Sequence, residues 1–330
     1  MKTTIIGSGS FGTALGILAA SNNHEVTLLT RKEEQAKTLN SDRINKRYLP
    51  HAPFPEGVHA SASPADSLPD AELVLFAIPT AHFRTTAETS QALTSPQATL
   101  LACAKGIERG TGLRMSQILS EVFPNNSVAV LSGPNHAEEI SLGLPACAVI
   151  GCTNEEVAAQ LQTQFATDTF RTYTSTDVAG IELGGAIKNV YGLAAGIATG
   201  LKLGDNAISA LVTRSLAEMT RLGIQLGGQA ETFAGLSGIG DLIATCFSSH
   251  SRNHQVGLAL AAGETADAAQ ARLGMVAEGV PNTLSIYETS QKISARTPLL
   301  DAMHAILYRD QPASEVLHQL LTRDPRPEAE

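Results

Sequence analysis

Apolar residues along this 330-residue chain follow two patterns, and the change comes near residue 176. Before it, short β-branched or apolar runs at residues 2–6, 24–29, 73–80, 99–106 and 128–134 alternate with helical or loop segments. Runs of that length bounded by glycine or proline read as strands buried in a parallel sheet. Residues 146–150 and 169–174 are two further strand-like runs, bracketing a helical segment at 155–165 and extending the sheet. Beyond Asp177 the strand signals vanish and a period of 3.6 dominates at residues 178–203, 206–222, 252–261, 280–290 and 313–321. The pattern predicts an α/β fold, a doubly wound and mainly parallel sheet over residues 1–176, followed by an all-α domain over 177–330. The polar tail at 323–330, RDPRPEAE, is expected to fray.

The first run leads into GSGSFG at residues 7–12 and then the helical stretch TALGILAA. This is GxGxxG between a strand and a helix, the setting that makes the sheet Rossmann-type. Gly7 permits the tight turn, Gly9 lets backbone approach a pyrophosphate, and Gly12 lets helix and strand pack, while the helix start offers free N–H donors. The second strand then ends where NAD-preferring sites place an acidic residue against the ribose. Arg31 and Lys32 stand there instead, two cations suited to a 2′-phosphate, a reading favoured over an ordinary solvated loop. NADPH is therefore the preferred cofactor and NADH a possible one. Ligands of such sheets bind at carboxyl ends of strands, so Pro79, Lys105 and Gly133 should converge on one crevice.

Residues 178–203, VAGIELGGAIKNVYGLAAGIATGLKL, carry glycine at 180, 184, 192, 196 and 200, and Lys188 takes the one remaining place in that series. A four-residue step drifts by about 40°, so Gly184, Lys188 and Gly192 stay within about 80° of each other on the helix. Each interior glycine costs about 1 kcal/mol against alanine, and close approach of another backbone or a ligand is the usual compensation. A helix lysine is most often solvated. Lys188 is flanked by Ile187 and Asn189 rather than by surface residues, which opposes that reading. The run is long enough to span a bilayer, but its ions and glycines argue against a membrane segment.

Length makes two domains the default, and composition adds exclusions. Lys+Arg 23 against Asp+Glu 32 leaves a formal charge of −9, which argues against nucleic-acid or anionic-membrane surfaces. Any phosphate site must then be a local cluster. Cys103, Cys147, Cys152 and Cys246 form no CxxC and read as reduced thiols, with Cys147 and Cys152 able to pair only if geometry allowed. A strand begins at once, with no signal or transit pattern ahead of it, so the expected location is the cytoplasm. No His, Cys and carboxylate spacing suggests a metal.

Within the helical half, LSGIGDLIATC places Asp241 after a glycine turn and Thr245 one helical turn on, so both can share a face. Asp241 reads equally well as a plain N-cap. SSHSRN then offers Ser251, Arg252 and Asn253 at a helix start, suited to a phosphate oxyanion; a cap explains Ser251 but not the other two.

Taken in order, GSGSFGTALG, SGPNHAEEI, ELGGAIKNVYGLAAGI, GIGDLIATC with SSHSRN, and VAEGV resemble the soluble NAD(P)-dependent glycerol-3-phosphate dehydrogenases of bacteria, from the first strand to about Pro281. The resemblance implies a Rossmann domain followed by a helical substrate domain. It also implies reversible reduction of dihydroxyacetone phosphate to sn-glycerol 3-phosphate, the head-group precursor of phospholipids. Position by position it implies cofactor contacts at Ser10, Phe11, Arg31, Lys32, Tyr48, Lys105, Ala137, Arg252, Val276 and Glu278, beside the glycines 7, 9 and 12. Substrate contacts are implied at Lys105, Gly133, Asn135, Lys188, Asp241, Ser251, Arg252 and Asn253, with Lys188 catalytic. Phe11 stands where the family commonly has tryptophan and Asn135 where it has serine. Partners are then small molecules, with no nucleic acid, no membrane insertion and a possible homodimer. A related hydroxy-acid or sugar-acid dehydrogenase, or a silent nucleotide sensor, would have been favoured by loss of Lys188 or of the Ser251–Asn253 cluster. Both are present.

Overall fold

The computed structural model describes residues 1–322 and 327–328, so most of the tail expected to fray lies outside the described residues. Eight strands form one sheet: β1 (Lys2–Ile6), β2 (Glu25–Leu29), β3 (Val58–Ser61), β4 (Leu73–Phe76), β5 (Thr99–Ala102), β6 (Val128–Ser132), β7 (Ala146–Gly151) and β8 (Phe170–Ser175). Their order is β3-β2-β1-β4-β5-β6-β7-β8. Strands β1 to β6 run parallel, β7 is antiparallel to β6, and β8 is parallel to β7. The order reverses direction between β1 and β4, so the ligand crevice of a doubly wound sheet opens there.

Three predicted strands are shorter than their apolar runs. Ile6 of β1 is in register with Leu29 and with Phe76. The Ala77 N–H still donates to the Ile6 carbonyl at 3.0 Å, but β1 turns away at Gly7 and the ladder goes no further; Thr80–His82 closes into a 3₁₀ turn instead. Likewise β5 stops at Ala102, leaving Lys105 in the loop beyond it, and β6 stops at Ser132 before the turn at Gly133. Strand β3 carries almost no apolar signal. Val58 and Ala60 are buried while His59 alternates outward, and four residues are too few to show that period.

Side chains from both faces of the sheet form cores, one around Ile5, Leu15, Leu28 and Leu75, the other around Val74, Phe76, Phe83 and Ile118. After β8 the chain enters the helix Val178–Gly200, capped by Asp177, whose Oδ1 accepts from the Gly180 N–H at 2.9 Å. Ile181 of this helix packs into the sheet's second core. Further along, Leu183, Ile187, Val190, Tyr191 and Leu193 are the centre of a third core formed by the surrounding helices. An all-round apolar sequence is what a helix enclosed on every side requires. Among the described residues no helix is long and apolar enough to cross a membrane.

Candidate active site

The glycine series of the long helix marks where other segments press against it. A methyl group at Gly184 would lie 2.5 Å from the Ser237 carbonyl oxygen, and one at Gly192 would lie 2.5 Å from Thr245 Cγ2. Lys188 rises between these two contacts, 6% exposed, so the solvated-surface reading of this lysine is excluded.

Ser237 belongs to a single π-helical turn, Leu236–Gly240, that leads into the helix Asp241–Phe247. Such turns re-aim side chains and recur at functional sites. Here the turn delivers Asp241 to the lysines: Oδ1 lies 2.9 Å from Lys188 Nζ and Oδ2 lies 2.7 Å from Lys105 Nζ. Both carboxylate oxygens are thus engaged by ammonium groups, and Asp241 does not act as a plain N-cap. Thr245, one turn on, accepts a hydrogen bond from Lys188 Nζ and lies with its Oγ1 3.5 Å from Asp241 Oδ1. Lys105 Nζ donates also to the Gly133 carbonyl at 2.9 Å and to Asn135 Oδ1 at 2.8 Å. The expected convergence of Lys105 and Gly133 at the sheet's carboxyl edge is therefore direct contact. Asn135 Nδ2 is buried with no partner among the described residues, a donor left over in the site.

Two ammoniums around one carboxylate leave a net positive centre out of water. Burial by itself would raise the Asp241 carboxyl, but Lys105 and Lys188 outweigh it and hold the group below the ordinary carboxylate range. Burial lowers Lys105 to about 8, with the like charge of Lys188 adding to the drop and Asp241 opposing it. His136, in the same wall, is lowered by burial and by Lys188, and its Nε2 sits 3.3 Å from the Ala244 carbonyl oxygen.

On the other side of the crevice, the GxGxxG turn has the shape of a dinucleotide site. Gly7 has φ +115°, and a methyl group at Gly12 would lie 2.0 Å from the Gly7 carbonyl oxygen. A methyl at Gly9 meets no heavy atom within 4 Å, which leaves open space at the start of α1 (Ser10–Ser21), where the first N–H groups lack helical partners. The residues present therefore fit a pyrophosphate. Phe11 lies beside Lys105, whose Nζ is 5.9 Å from its ring centre. Arg31 and Lys32 are exposed just past β2 and form no ion pair among the described residues. Tyr48 is half-buried with the Arg47 guanidinium 5.1 Å from its ring centre, and Ala137 is the buried first residue of the helix Ala137–Ser141.

The helical half meets this turn through Arg252, which donates to Ser10 Oγ at 3.0 Å and to the Val276 carbonyl at 3.2 Å. Glu278 Oε1 accepts from the Thr80 N–H at 3.1 Å, a second tie across the crevice. The Ser251–Asn253 cluster is only partly disposed as expected. Ser251 caps the helix Arg252–Ala261 by accepting from the His254 N–H at 3.2 Å. Asn253 turns inward: its Oδ1 accepts from the Gly279 N–H at 2.8 Å and its Nδ2 donates to Asn189 Oδ1 at 2.9 Å.

Sequence reasoning missed several polar supports. Asn189 Nδ2 donates to the Lys105 carbonyl at 3.2 Å; its signal was a second polar residue beside Lys188 in an apolar helix. Asn45 braces the glycine turn through the Ser8 carbonyl at 3.0 Å and Thr13 Oγ1 at 2.8 Å, and Gln35 reaches Ser8 Oγ at 3.0 Å. Neither carries a local signal. All four cysteines are free thiols, so Cys147 and Cys152 are unpaired.

Comparison with known proteins agrees with this arrangement along the chain. The family model for the NAD-dependent glycerol-3-phosphate dehydrogenase N-terminus matches residues 2–158, and the model for its C-terminus matches residues 177–318. A glycerol-3-phosphate dehydrogenase [NAD(P)+] of Chlorobium phaeobacteroides is 41% identical over 331 residues, covering 99% of each chain, and one of Clostridium perfringens is 40% identical over 327 residues with the same coverage. The crystal structure of glycerol-3-phosphate dehydrogenase from Coxiella burnetii superposes with a TM-score of 0.94 at 34% identity, covering 97% of this chain and 98% of that one. A ketopantoate reductase from Ralstonia eutropha, at 19% identity and a TM-score of 0.64, shares the fold alone. With a glycine turn, two lysines on one buried carboxylate and both halves matched, the chain belongs to the NAD-dependent glycerol-3-phosphate dehydrogenase family of oxidoreductases.

Proposed function

We propose that the chain reduces dihydroxyacetone phosphate reversibly to sn-glycerol 3-phosphate, a precursor for phospholipid head groups, with NADPH preferred and NADH accepted. The observation that carries this is Lys188, a buried ammonium held by Asp241 and Thr245 between the glycine turn and the helical half. The bound nicotinamide supplies the hydride. As charge grows on the carbonyl oxygen, the Lys188 ammonium stabilises it and gives up a proton, while Asp241 and Thr245 fix the direction of its N–H bonds. Lys105, Arg252 and the unpaired Nδ2 of Asn135 supply cations and a donor for the phosphate and hydroxyl oxygens. A nucleotide domain over 1–176 and a substrate domain over 177–330 belong to the same reading, supported by the sheet ending at Ser175 and the lysine-bearing helix starting at Val178. Loss of NADPH absorbance with a panel of phosphorylated and unphosphorylated ketones tests the assignment; equal rates with dihydroxyacetone and its phosphate would refute it. Free thiols support a cytoplasmic location, and light scattering tests a homodimer.

The depressed Lys105 predicts the alkaline limb of activity. The ammonium is charged below about pH 8 and neutral above, so kcat/KM for the phosphorylated ketone should fall as pH rises through about 8. Lys105→Arg, whose guanidinium stays charged, should move that limb to higher pH. A profile flat through this region in the wild type would remove Lys105 from substrate binding.

Cofactor preference rests on Arg31. Its exposed position keeps a contact to a 2′-phosphate near the lower end of charge-assisted bonds, about 1.5 kcal/mol or roughly 10-fold in affinity. Arg31→Ala should weaken NADPH by that factor and leave NADH nearly unchanged, and added salt should narrow the difference in the wild type. Equal kcat/KM for the two cofactors in the wild type would sink the preference without touching the reaction.

A further inference from the structure

The backbone carbonyl of Lys105 is where three segments meet. Besides Asn189, it accepts from Asn282 Nδ2 at 2.8 Å, and Asn282 lies in a separate helix, Gly279–Lys292. The same Asn282 Nδ2 is 3.2 Å from the Ala186 carbonyl oxygen, on the long helix half a turn before Lys188. One amide thus ties the loop that carries Lys105 to the helix that carries Lys188. Asn189, itself on the long helix, makes a longer tie to the same carbonyl at 3.2 Å and shares its amide with the Gly185 carbonyl of its own helix, also at 3.2 Å.

Asn282 is 1% exposed, and its Oδ1 is buried without a hydrogen-bond partner among the described residues. Both groups facing Nδ2 are carbonyls, so only the NH₂ end can point at them and the orientation is fixed. A buried, half-satisfied amide is unfavourable where an apolar residue would pack. Its retention makes sense if the two donor bonds have a task.

We infer that Asn282 is a positioning residue: by bridging the Lys105 and Ala186 carbonyls it sets the spacing of Lys105 and Lys188 across the crevice, so that both ammoniums reach Asp241. This rests on the reading of those lysines as the substrate-binding and catalytic groups. Without the bridge the Lys105 loop is tied to the long helix by the longer Asn189 bond alone, and Lys105 can withdraw from Asp241 toward water. The charged and titratable groups facing Lys105 among the described residues are Asp241, Lys188, Cys103 and His136. Relaxation toward solvent returns Lys105 from about 8 toward its ordinary 10.5.

Two variants separate donor chemistry from bulk: Asn282→Ala removes both, and Asn282→Leu keeps the branched shape without charge and removes the NH₂. Both should lower kcat/KM for dihydroxyacetone phosphate at least about 10-fold, the scale of a small misplacement of reacting groups, while NADPH affinity stays nearly unchanged. In ligand-free protein, ¹³C-lysine NMR should show the Lys105 titration moved upward in both. A purely space-filling role predicts that the leucine variant restores what the alanine variant loses, and that result overturns the inference. So do variants with a lower melting temperature but wild-type kcat/KM and an unmoved Lys105 titration. If Asn282→Leu fails to fold, the alanine variant decides. A wild type inactive on dihydroxyacetone phosphate would refute the substrate assignment, and the Lys105 titration would still decide the role of Asn282.

Discussion

Replacing Lys188 by alanine should lower turnover at least about 100-fold and leave NADPH affinity nearly intact, the signature of a positioned acid acting only in the chemical step. The fold should survive because Asp241 keeps Lys105 as a charge partner at 2.7 Å, so no carboxylate is abandoned in the interior. The glycine turn at residues 7–12 and the Arg252–Ser10 bond do not involve Lys188, which is why cofactor binding should be spared. Lys188→Met, which keeps most of the side-chain volume without a proton to give, should be equally inactive. Fluorescence titration with NADPH and steady-state rates separate the two effects. Parallel loss of folding and cofactor affinity would make Lys188 a structural residue.

Asp241→Asn should be the most destabilising single change in the site. Asp241 is 2% exposed and stands between two ammoniums; the amide removes the negative charge and leaves buried Lys188 and part-buried Lys105 as like charges with no counter-charge between them. Breaking a buried pair in this way costs about 3–5 kcal/mol, readable as a shift in the urea midpoint at neutral pH. The wild-type contribution has a defined sign with pH. Because the folded pKa lies below the ordinary 3.8, the stabilisation is present above that value and is lost as pH falls through the lower folded value, where the difference between the two proteins should vanish. Turnover should fall as well, since Lys188 loses the carboxylate that aims its ammonium. A stability change below about 1 kcal/mol would mean that water reaches this pair and screens it.

Legibility in the sequence followed the range of the interactions. Gly7, Gly9 and Gly12 read as a nucleotide turn because strand, turn and helix are adjacent in the chain. The glycines around Lys188 read as a close approach because helical spacing alone puts them on neighbouring faces. What approached them could not be read: Ser237 and Thr245 lie in another element, and the π turn that aims Asp241 has no pattern distinguishing it from an ordinary glycine loop. The ends of β4 and β5 were misjudged because apolar character continues past the last residue with a strand neighbour.

By itself, the sequence determined the order of elements, the sheet-then-helix division and the residue types of the site, since periodicity, turn chemistry and charge are local properties. Tertiary structure alone decided their partnerships. Lys105 meets Asp241 across 136 residues and Lys188 meets Thr245 across 57. Whether Asp241 capped a helix or bound two lysines, and which groups Asn253 would bond, here Asn189 and Gly279, depended on which segments packing brought within about 3 Å, the reach of a hydrogen bond. Hydrogen bonds act over that short range, and no spacing along the chain encodes which distant groups will share it.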